Sequence, residues 1–135
     1  MAAWILIVDD EPKLREMMTI FLENEGYRVS ACPDGPSAIE AVRVRVPDLI
    51  LLDVRLRDMD GWEVHDTLRA SDRTKDVHII ILTAKADETL AGHENGKEKG
   101  KGADKGSKGL GPTQLMYKPF SPDVLLDKVR ATLHR

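Results

Sequence analysis

Two stretches of this chain decide its fold: residues 4–10, which read WILIVDD, and residues 49–53, which read LILLD. Each is a short apolar run that ends in acid, Asp9 and Asp10 in the first stretch and Asp53 in the second. Runs of this kind, bounded by polar residues, are typical of parallel strands that are buried on both faces. Ligands of an open α/β sheet bind beyond the carboxyl ends of its strands. We therefore expect the three carboxylates to meet at one edge of the sheet.

Three carboxylates at one point repel each other and raise their own pKa values unless a cation binds among them. All the available donors are oxygen atoms, which favour a hard ion. The sequence therefore predicts Mg²⁺ as the cofactor.

The rest of the chain alternates helical and extended patterns. Apolar residues recur at helical spacing after Pro12, Gly35 and Gly61, and a last helix begins at residues 121–123, which read SPD. Further strands are predicted at residues 27–32, 77–82 and 114–117. The alternation indicates an α/β fold with a doubly wound, five-stranded parallel sheet of the flavodoxin-like type. We expect the strand order 2-1-3-4-5, with helices on both faces.

One segment breaks this alternation. Residues 92–111 hold seven of the ten glycines and five lysines, and no apolar stripe runs through them. We interpret them as a flexible insertion within a single domain that spans residues 1–135. The helix between the fourth and fifth strands is then expected to be short or missing, with residues 86–91 supplying a turn or two. A natural insertion, a disordered spacer and an engineered or frame-altered stretch remain open as its origin.

The composition argues against several classes of function and location. A net charge of −3 and a pI of about 5.8 give no electrostatic reason to expect direct binding of nucleic acid. Cys32 is the single cysteine, so no internal disulfide can form. The N-terminus has no basic leader and no run is long enough to span a bilayer, so we expect a cytoplasmic protein without membrane insertion. The initiating Met1 and the basic C-terminal residues 133–135 favour a complete, stand-alone chain, and a fragment of a larger protein remains the alternative.

Every predicted strand except the second ends in a polar residue that faces this edge. The fourth ends at Thr83 and the fifth at Lys118. In such a set Asp53 can act as a nucleophile towards phosphorus, forming an acyl phosphate. Asp9 and Asp10 would hold Mg²⁺, while the lysine and the threonine hydroxyl would contact phosphoryl oxygens. Capping of the first helix is the alternative role of the acidic pair.

Five short motifs occur in register with these strand ends. They are Val8-Asp9-Asp10-Glu11, Leu52-Asp53, Gly61, Thr83-Ala84 and Lys118-Pro119-Phe120. Together they resemble the receiver domain of two-component response regulators, over nearly the whole chain except the Gly/Lys segment. The resemblance implies a phosphorylation-controlled signalling module rather than a multiple-turnover enzyme. Its partners would be a histidine kinase or phosphotransfer protein and an unknown downstream protein target.

The resemblance also implies roles for individual residues. Asp53 would be the phosphoacceptor, and Asp10 and Asp53 direct ligands of Mg²⁺, with Asp9 contributing. The backbone carbonyl of Arg55 would be a further ligand. Thr83 would move towards the phosphoryl group after phosphorylation, and a cis Lys118-Pro119 bond would direct the lysine into the site.

The chain departs from the family pattern on its signalling side. Arg57 occupies a position where the family usually has proline, and Leu115 one where it usually has an aromatic residue; Tyr117 lies next to the lysine instead. These departures leave a phosphorylation-independent interaction module open. A Mg²⁺-dependent aspartyl-phosphate phosphatase also remains open, although such enzymes commonly carry an acid where this chain has Arg55.

Overall fold

The computed structural model describes residues 2–57, 59–84 and 112–134. The Gly/Lys-rich insertion predicted at residues 92–111 and the short helix predicted at residues 86–91 lie outside the described residues. The described elements, in chain order, are β1 (Trp4–Val8), α1 (Pro12–Asn24), β2 (Arg28–Cys32), α2 (Gly35–Val44), β3 (Leu49–Asp53), α3 (Gly61–Arg69), β4 (His78–Ala84), β5 (Thr113–Lys118) and α4 (Pro122–Leu133).

All five strands are parallel and form one sheet with the order β2-β1-β3-β4-β5. The predicted doubly wound, flavodoxin-like topology is therefore confirmed. Val8, the last residue of β1, pairs with Leu52 of β3. The residues that follow them, Asp9 and Asp53, therefore lie at the same level of adjacent strands. On the other side, Asp53 pairs with Leu82 of β4. The register thus brings the first and third strand ends together.

Alternation along the buried strands divides the core between the two faces of the sheet. One face packs on α2 and α3, and the other on α1 and α4. The buried strand residues of the first face are Leu6, Val8, Cys32, Ile50, Leu52, Ile79 and Ile81. Those of the second face are Ile5, Ile7, Leu49, Leu51, Ile80, Leu82 and Met116. Burial on both faces is why these strands read as continuous apolar runs.

Side-chain caps fix where three of the helices begin. Asp34 accepts a hydrogen bond from the backbone N–H of Ser37, and Ser121 from that of Val124. Asp60 begins α3 with a capping box, which is why this helix starts at Gly61, one residue earlier than the sequence pattern predicts. Among the described residues, no helix has both the length and the apolar character needed to cross a membrane.

Candidate functional site

Three carboxylates lie together at the carboxyl edge of the sheet. Asp9, Asp10 and Asp53 each place one oxygen within 4.8 Å of the others. Asp9 is fully buried, Asp53 is only 5 % exposed and Asp10 is half-buried. Burying charged carboxylates is costly unless a positive charge compensates them. Their convergence makes this edge of the sheet a candidate site for a cation.

Every polar group of Asp9 has a partner. Its N–H donates to the carbonyl of Cys32 at 3.1 Å, which extends the β1–β2 ladder by one bond. One carboxylate oxygen accepts from the backbone N–H of Glu11 at 2.9 Å, and the other from the ammonium of Lys118 at 3.3 Å. Its carbonyl oxygen accepts from the guanidinium of Arg15 at 2.8 Å. Asp9 is thus held by the sheet, by the start of α1 and by β5.

Lys118 supplies the positive charge inside the cluster. Its Nζ lies 3.3 Å from a carboxylate oxygen of Asp9 and 3.3 Å from one of Asp53. Burial alone would lower the pKa of this lysine, but the two carboxylates outweigh it and raise the pKa above its usual value. The peptide bond between Lys118 and Pro119 is cis, as the resemblance implies. Lys118 is therefore a charged group in the site.

The pKa of Asp53 is shifted far from its ordinary value. Burial, followed by the charge of Asp9, raises its pKa to about 6. Lys118 and the backbone N–H of Arg55, which donates to Asp53 at 3.3 Å, act in the opposite direction. Attraction from a single lysine does not offset burial beside a second carboxylate. More positive charge at this point would favour the ionised, nucleophilic form.

Thr83 lies at the same edge of the sheet. It is buried, one residue beyond the Leu82 that pairs with Asp53, and its hydroxyl donates to the carbonyl of Ala84 at 3.3 Å. Arg55 forms an isolated antiparallel bridge with Asp60 in the loop that follows β3. The roles predicted for the Thr83 hydroxyl and the Arg55 carbonyl stay predictions.

The backbone of Gly61 lies directly against the backbone of Asp53 and Val54. A Cβ atom at this position would lie 2.1 Å from the carbonyl oxygen of Asp53 and 2.8 Å from the Cα of Val54. The N–H of Gly61 donates to the carbonyl of Val54 at 2.7 Å. Only glycine permits α3 to begin this close to the end of β3.

Two open clefts flank the cluster. One, of about 510 Å³, lies between the start of α1 and the turn after β5, and is lined by Glu11, Lys13, Leu14, Met17, Lys118, Pro119 and Phe120. The other, of about 500 Å³, is lined by Glu63 and by residues of the loop between β3 and α3. Lys118 lines the first cleft, and Val54 and Arg55, which follow Asp53, line the second. Each cleft therefore opens beside the cluster.

The structure brings four predicted site residues into one cluster: Asp9, Asp10, Asp53 and Lys118. Sequence reasoning did not find Arg15, which donates to the Asp9 carbonyl. An arginine in the first turns of a helix is usually solvated, and nothing in its spacing marks this one. The contact depends on how α1 packs beside the end of β1.

The sheet is parallel, has the order 2-1-3-4-5 and carries buried carboxylates and a lysine at its carboxyl edge. These features place the chain among flavodoxin-like domains with a charged site at that edge. Residues 5–130 match the family model described as the response regulator receiver domain. The chain belongs to this family and is a receiver domain of two-component response regulators.

Curated relatives and solved structures agree with the family. The chain is 40 % identical over 133 residues to the DNA-binding response regulator MtrA of Mycolicibacterium smegmatis, covering 97 % of this chain and 50 % of MtrA. It thus spans about half the length of the curated relatives it matches. The chemotaxis response regulator CheY4 of Vibrio cholerae superposes with a TM-score of 0.79 at 28 % identity, covering 98 % of this chain and 100 % of CheY4.

A further neighbour is a receiver domain with bound metal. The receiver domain of sensor histidine kinase PA1611 from Pseudomonas aeruginosa superposes with a TM-score of 0.78 at 25 % identity, covering all of both chains. That structure has a magnesium ion coordinated in its active site cleft.

Proposed function

We propose that this chain is a single, phosphorylation-controlled receiver domain over residues 1–135, which accepts a phosphoryl group on Asp53 from a histidine kinase or phosphotransfer protein. The observation that carries the proposal is the position of Lys118, whose Nζ lies 3.3 Å from the carboxylates of both Asp9 and Asp53. A cation held between two buried carboxylates is placed to compensate a phosphoryl oxygen when one carboxylate becomes an acyl phosphate.

The residues present fit Mg²⁺. Three carboxylates offer oxygen donors within 4.8 Å of one another, and a hard divalent ion prefers such donors. We propose that Asp10 and Asp53 are direct ligands, that Asp9 contributes, and that the Arg55 carbonyl completes the protein's share. When bound, Mg²⁺ neutralises charge on the transferring phosphoryl group and lowers the pKa of Asp53. The magnesium in the active site cleft of the PA1611 receiver domain supports this assignment.

The reaction is a phosphoryl transfer to a carboxylate. A carboxylate oxygen of Asp53 attacks phosphorus, the bond from phosphorus to the donor's imidazole nitrogen breaks, and that nitrogen keeps the electron pair and is protonated. With acetyl phosphate as donor, the phosphorus–oxygen bond breaks and acetate leaves. Lys118 keeps its charge throughout and pairs with an oxygen of the transferred group. Thr83, at the same edge, would donate its hydroxyl to another oxygen.

Signalling through protein contacts completes the proposal. The relative MtrA is named a DNA-binding response regulator, but this chain spans about half of that protein. With a net charge of −3, we do not expect the receiver domain itself to bind nucleic acid. We propose a cytoplasmic location and a downstream protein target.

The test is phosphorylation in vitro. The full chain is incubated with acetyl phosphate and MgCl₂ and its intact mass is measured, with EDTA and Asp53→Asn as controls. We expect a gain of one phosphoryl group only in the wild type with MgCl₂, and none in EDTA or in Asp53→Asn. Modification that persists in Asp53→Asn would contradict the assignment of the acceptor.

The mass measurement and a phosphate assay separate the two alternatives. A phosphorylation-independent interaction module would show no mass gain under any condition. A phosphatase would release inorganic phosphate from small phosphate esters over many turnovers, which is measured by phosphate assay. We expect no such turnover, since Arg55 stands where phosphatases of this kind commonly carry a second acid.

A further inference from the structure

Arg15 contacts the peptide group that joins the two acids of the site. Its Nη1 donates to the carbonyl oxygen of Asp9 at 2.8 Å. That carbonyl and the N–H of Asp10 belong to one planar peptide unit. Holding the oxygen therefore restricts the rotation of the plane, and with it the direction in which Asp10 leaves the backbone.

Asp10 depends on this restraint more than Asp9 does. Asp9 is fixed by three further bonds, from its own N–H and to its two carboxylate oxygens. Asp10 follows the end of β1, before α1 begins, and is half-buried. The peptide between the two acids is thus where a single donor can set the position of a ligand.

Arg15 is itself well placed to act as a fixed donor. It lies in α1, which begins with Pro12 at its first position, and its own carbonyl accepts from the hydroxyl of Thr19 at 2.8 Å. The side chain is half-buried beside the end of β2, where burial raises the pKa of the Cys32 thiol and the charge of Arg15 opposes that rise. A guanidinium keeps its charge and its donors at every accessible pH.

We propose that Arg15 is a positioning residue, which holds the Asp9–Asp10 peptide so that Asp10 faces the carboxylate cluster, and thereby sets the affinity for Mg²⁺. The inference rests on the proposed magnesium site.

Charge and position predict opposite effects of losing this arginine. Removing a positive charge near a cation site favours the binding of another cation. Losing the restraint on a ligand disfavours binding, and loss of a partner that orients a ligand typically weakens metal affinity about 10- to 100-fold. The sign of the change therefore distinguishes a positioning role from a bystander charge.

The experiment is a calorimetric titration of the full chain with MgCl₂ at about pH 8, where Asp53 is ionised. Arg15→Met keeps the long stem but donates nothing, and Arg15→Lys keeps the charge and a donor. Arg28→Ala, at the opposite end of the strands, is the matched control. Circular dichroism and urea unfolding establish that each variant is folded.

We expect Arg15→Met to weaken Mg²⁺ binding about tenfold, Arg15→Lys to recover most of the loss, and Arg28→Ala to match the wild type. Should Arg15→Met fail to fold, Arg15→Leu takes its place with the same expected direction. Equal or tighter binding by the folded variant that lacks the donor would overturn the positioning role alone. No Mg²⁺ binding by the wild type would overturn the proposed site and this inference together.

Discussion

The Nζ of Lys118 lies 3.3 Å from Oδ2 of Asp53, although β4 lies between the strands that carry the two residues. The contact therefore crosses the carboxyl end of the central part of the sheet. We expect a change of charge on Asp53, the proposed phosphoacceptor, to act directly on the end of β5 and the turn that leads into α4. The pair of Asp53 with Lys118 would then be one end of the proposed signalling path.

Removing that cation should weaken both the fold and the chemistry. Lys118→Met leaves two buried carboxylates without their positive partner, and breaking a buried pair in this way costs about 3 kcal/mol. Losing a preorganised charge from the transition state should also slow phosphorylation about 100-fold. Urea unfolding in EDTA and the initial rate with acetyl phosphate measure the two effects.

Lys128→Met is the control for Lys118, since this lysine lies on α4, away from the carboxylates. It should change neither quantity measurably. An unchanged phosphorylation rate in Lys118→Met would remove the lysine from the proposed chemistry.

The raised pKa of Asp53 predicts that the free energy of unfolding depends on pH. The native pKa of about 6 lies above the ordinary value of 3.8, so the native state binds the proton more tightly than the unfolded state. Below about pH 4 the protonated group contributes about 3 kcal/mol to the free energy of unfolding. This contribution falls as the pH rises through about 6, and above that pH it is lost. In EDTA, Asp53→Asn should therefore gain stability relative to the wild type as the pH rises.

Added Mg²⁺ should close this gap, because a cation compensates the charge in the wild type and has fewer ligands in Asp53→Asn. Asp72→Asn, which alters a fully exposed acid, is the control and should show no such gain. Urea unfolding at several pH values measures all three proteins. If Asp53→Asn were less stable than the wild type at alkaline pH without metal, the electrostatic reading of the cluster would be wrong.

Much of the fold is predictable because both faces of the sheet are buried. Continuous apolar runs such as residues 49–52 have one structural solution in a chain that alternates strands with helices. The acidic cluster follows from the same pattern, since parallel strands bring their carboxyl ends to one edge. Asp9, Asp10, Asp53 and Lys118 could thus be assigned from strand ends alone.

The contacts made across the sheet could not be predicted in this way. His65 reads as an isolated histidine, yet it is fully buried and hydrogen-bonded to Thr113, 48 residues away. The donation from Arg15 to the Asp9 carbonyl likewise depends on how a helix packs beside a strand end. Periodicity reports which face of an element is buried, and it carries no information on which polar atoms meet there.

The contact of Gly61 with Asp53 predicts a steep penalty for adding one methyl group. A Cβ there would lie 2.1 Å from the backbone oxygen of Asp53, so β3 and α3 must separate. We expect Gly61→Ala to lose about 3 kcal/mol and to weaken Mg²⁺ binding as the acceptor moves. Urea unfolding and calorimetric titration measure these effects.

Gly35→Ala is the matched control for Gly61, because its Cβ would meet side-chain atoms of Met59, at 2.7 and 2.9 Å, and of Val64, at 3.0 Å, rather than backbone. It should cost about 1 kcal/mol and leave Mg²⁺ affinity unchanged. Equal losses in the two variants would show that the close approach to Asp53 has no special importance.

Thr113, the first residue of β5, contacts α3 through its hydroxyl. That oxygen lies 3.0 Å from Nε2 of the buried His65 and accepts from the guanidinium of Arg69 at 2.9 Å. Thr113→Val removes one partner from each group while keeping the shape, so we expect a loss of about 2 kcal/mol in the free energy of unfolding. Thr67→Val, which alters an exposed hydroxyl on the same helix, should cost less than about 0.5 kcal/mol. Comparable losses in both variants, measured by urea unfolding, would mean that the hydroxyl does not couple β5 to α3.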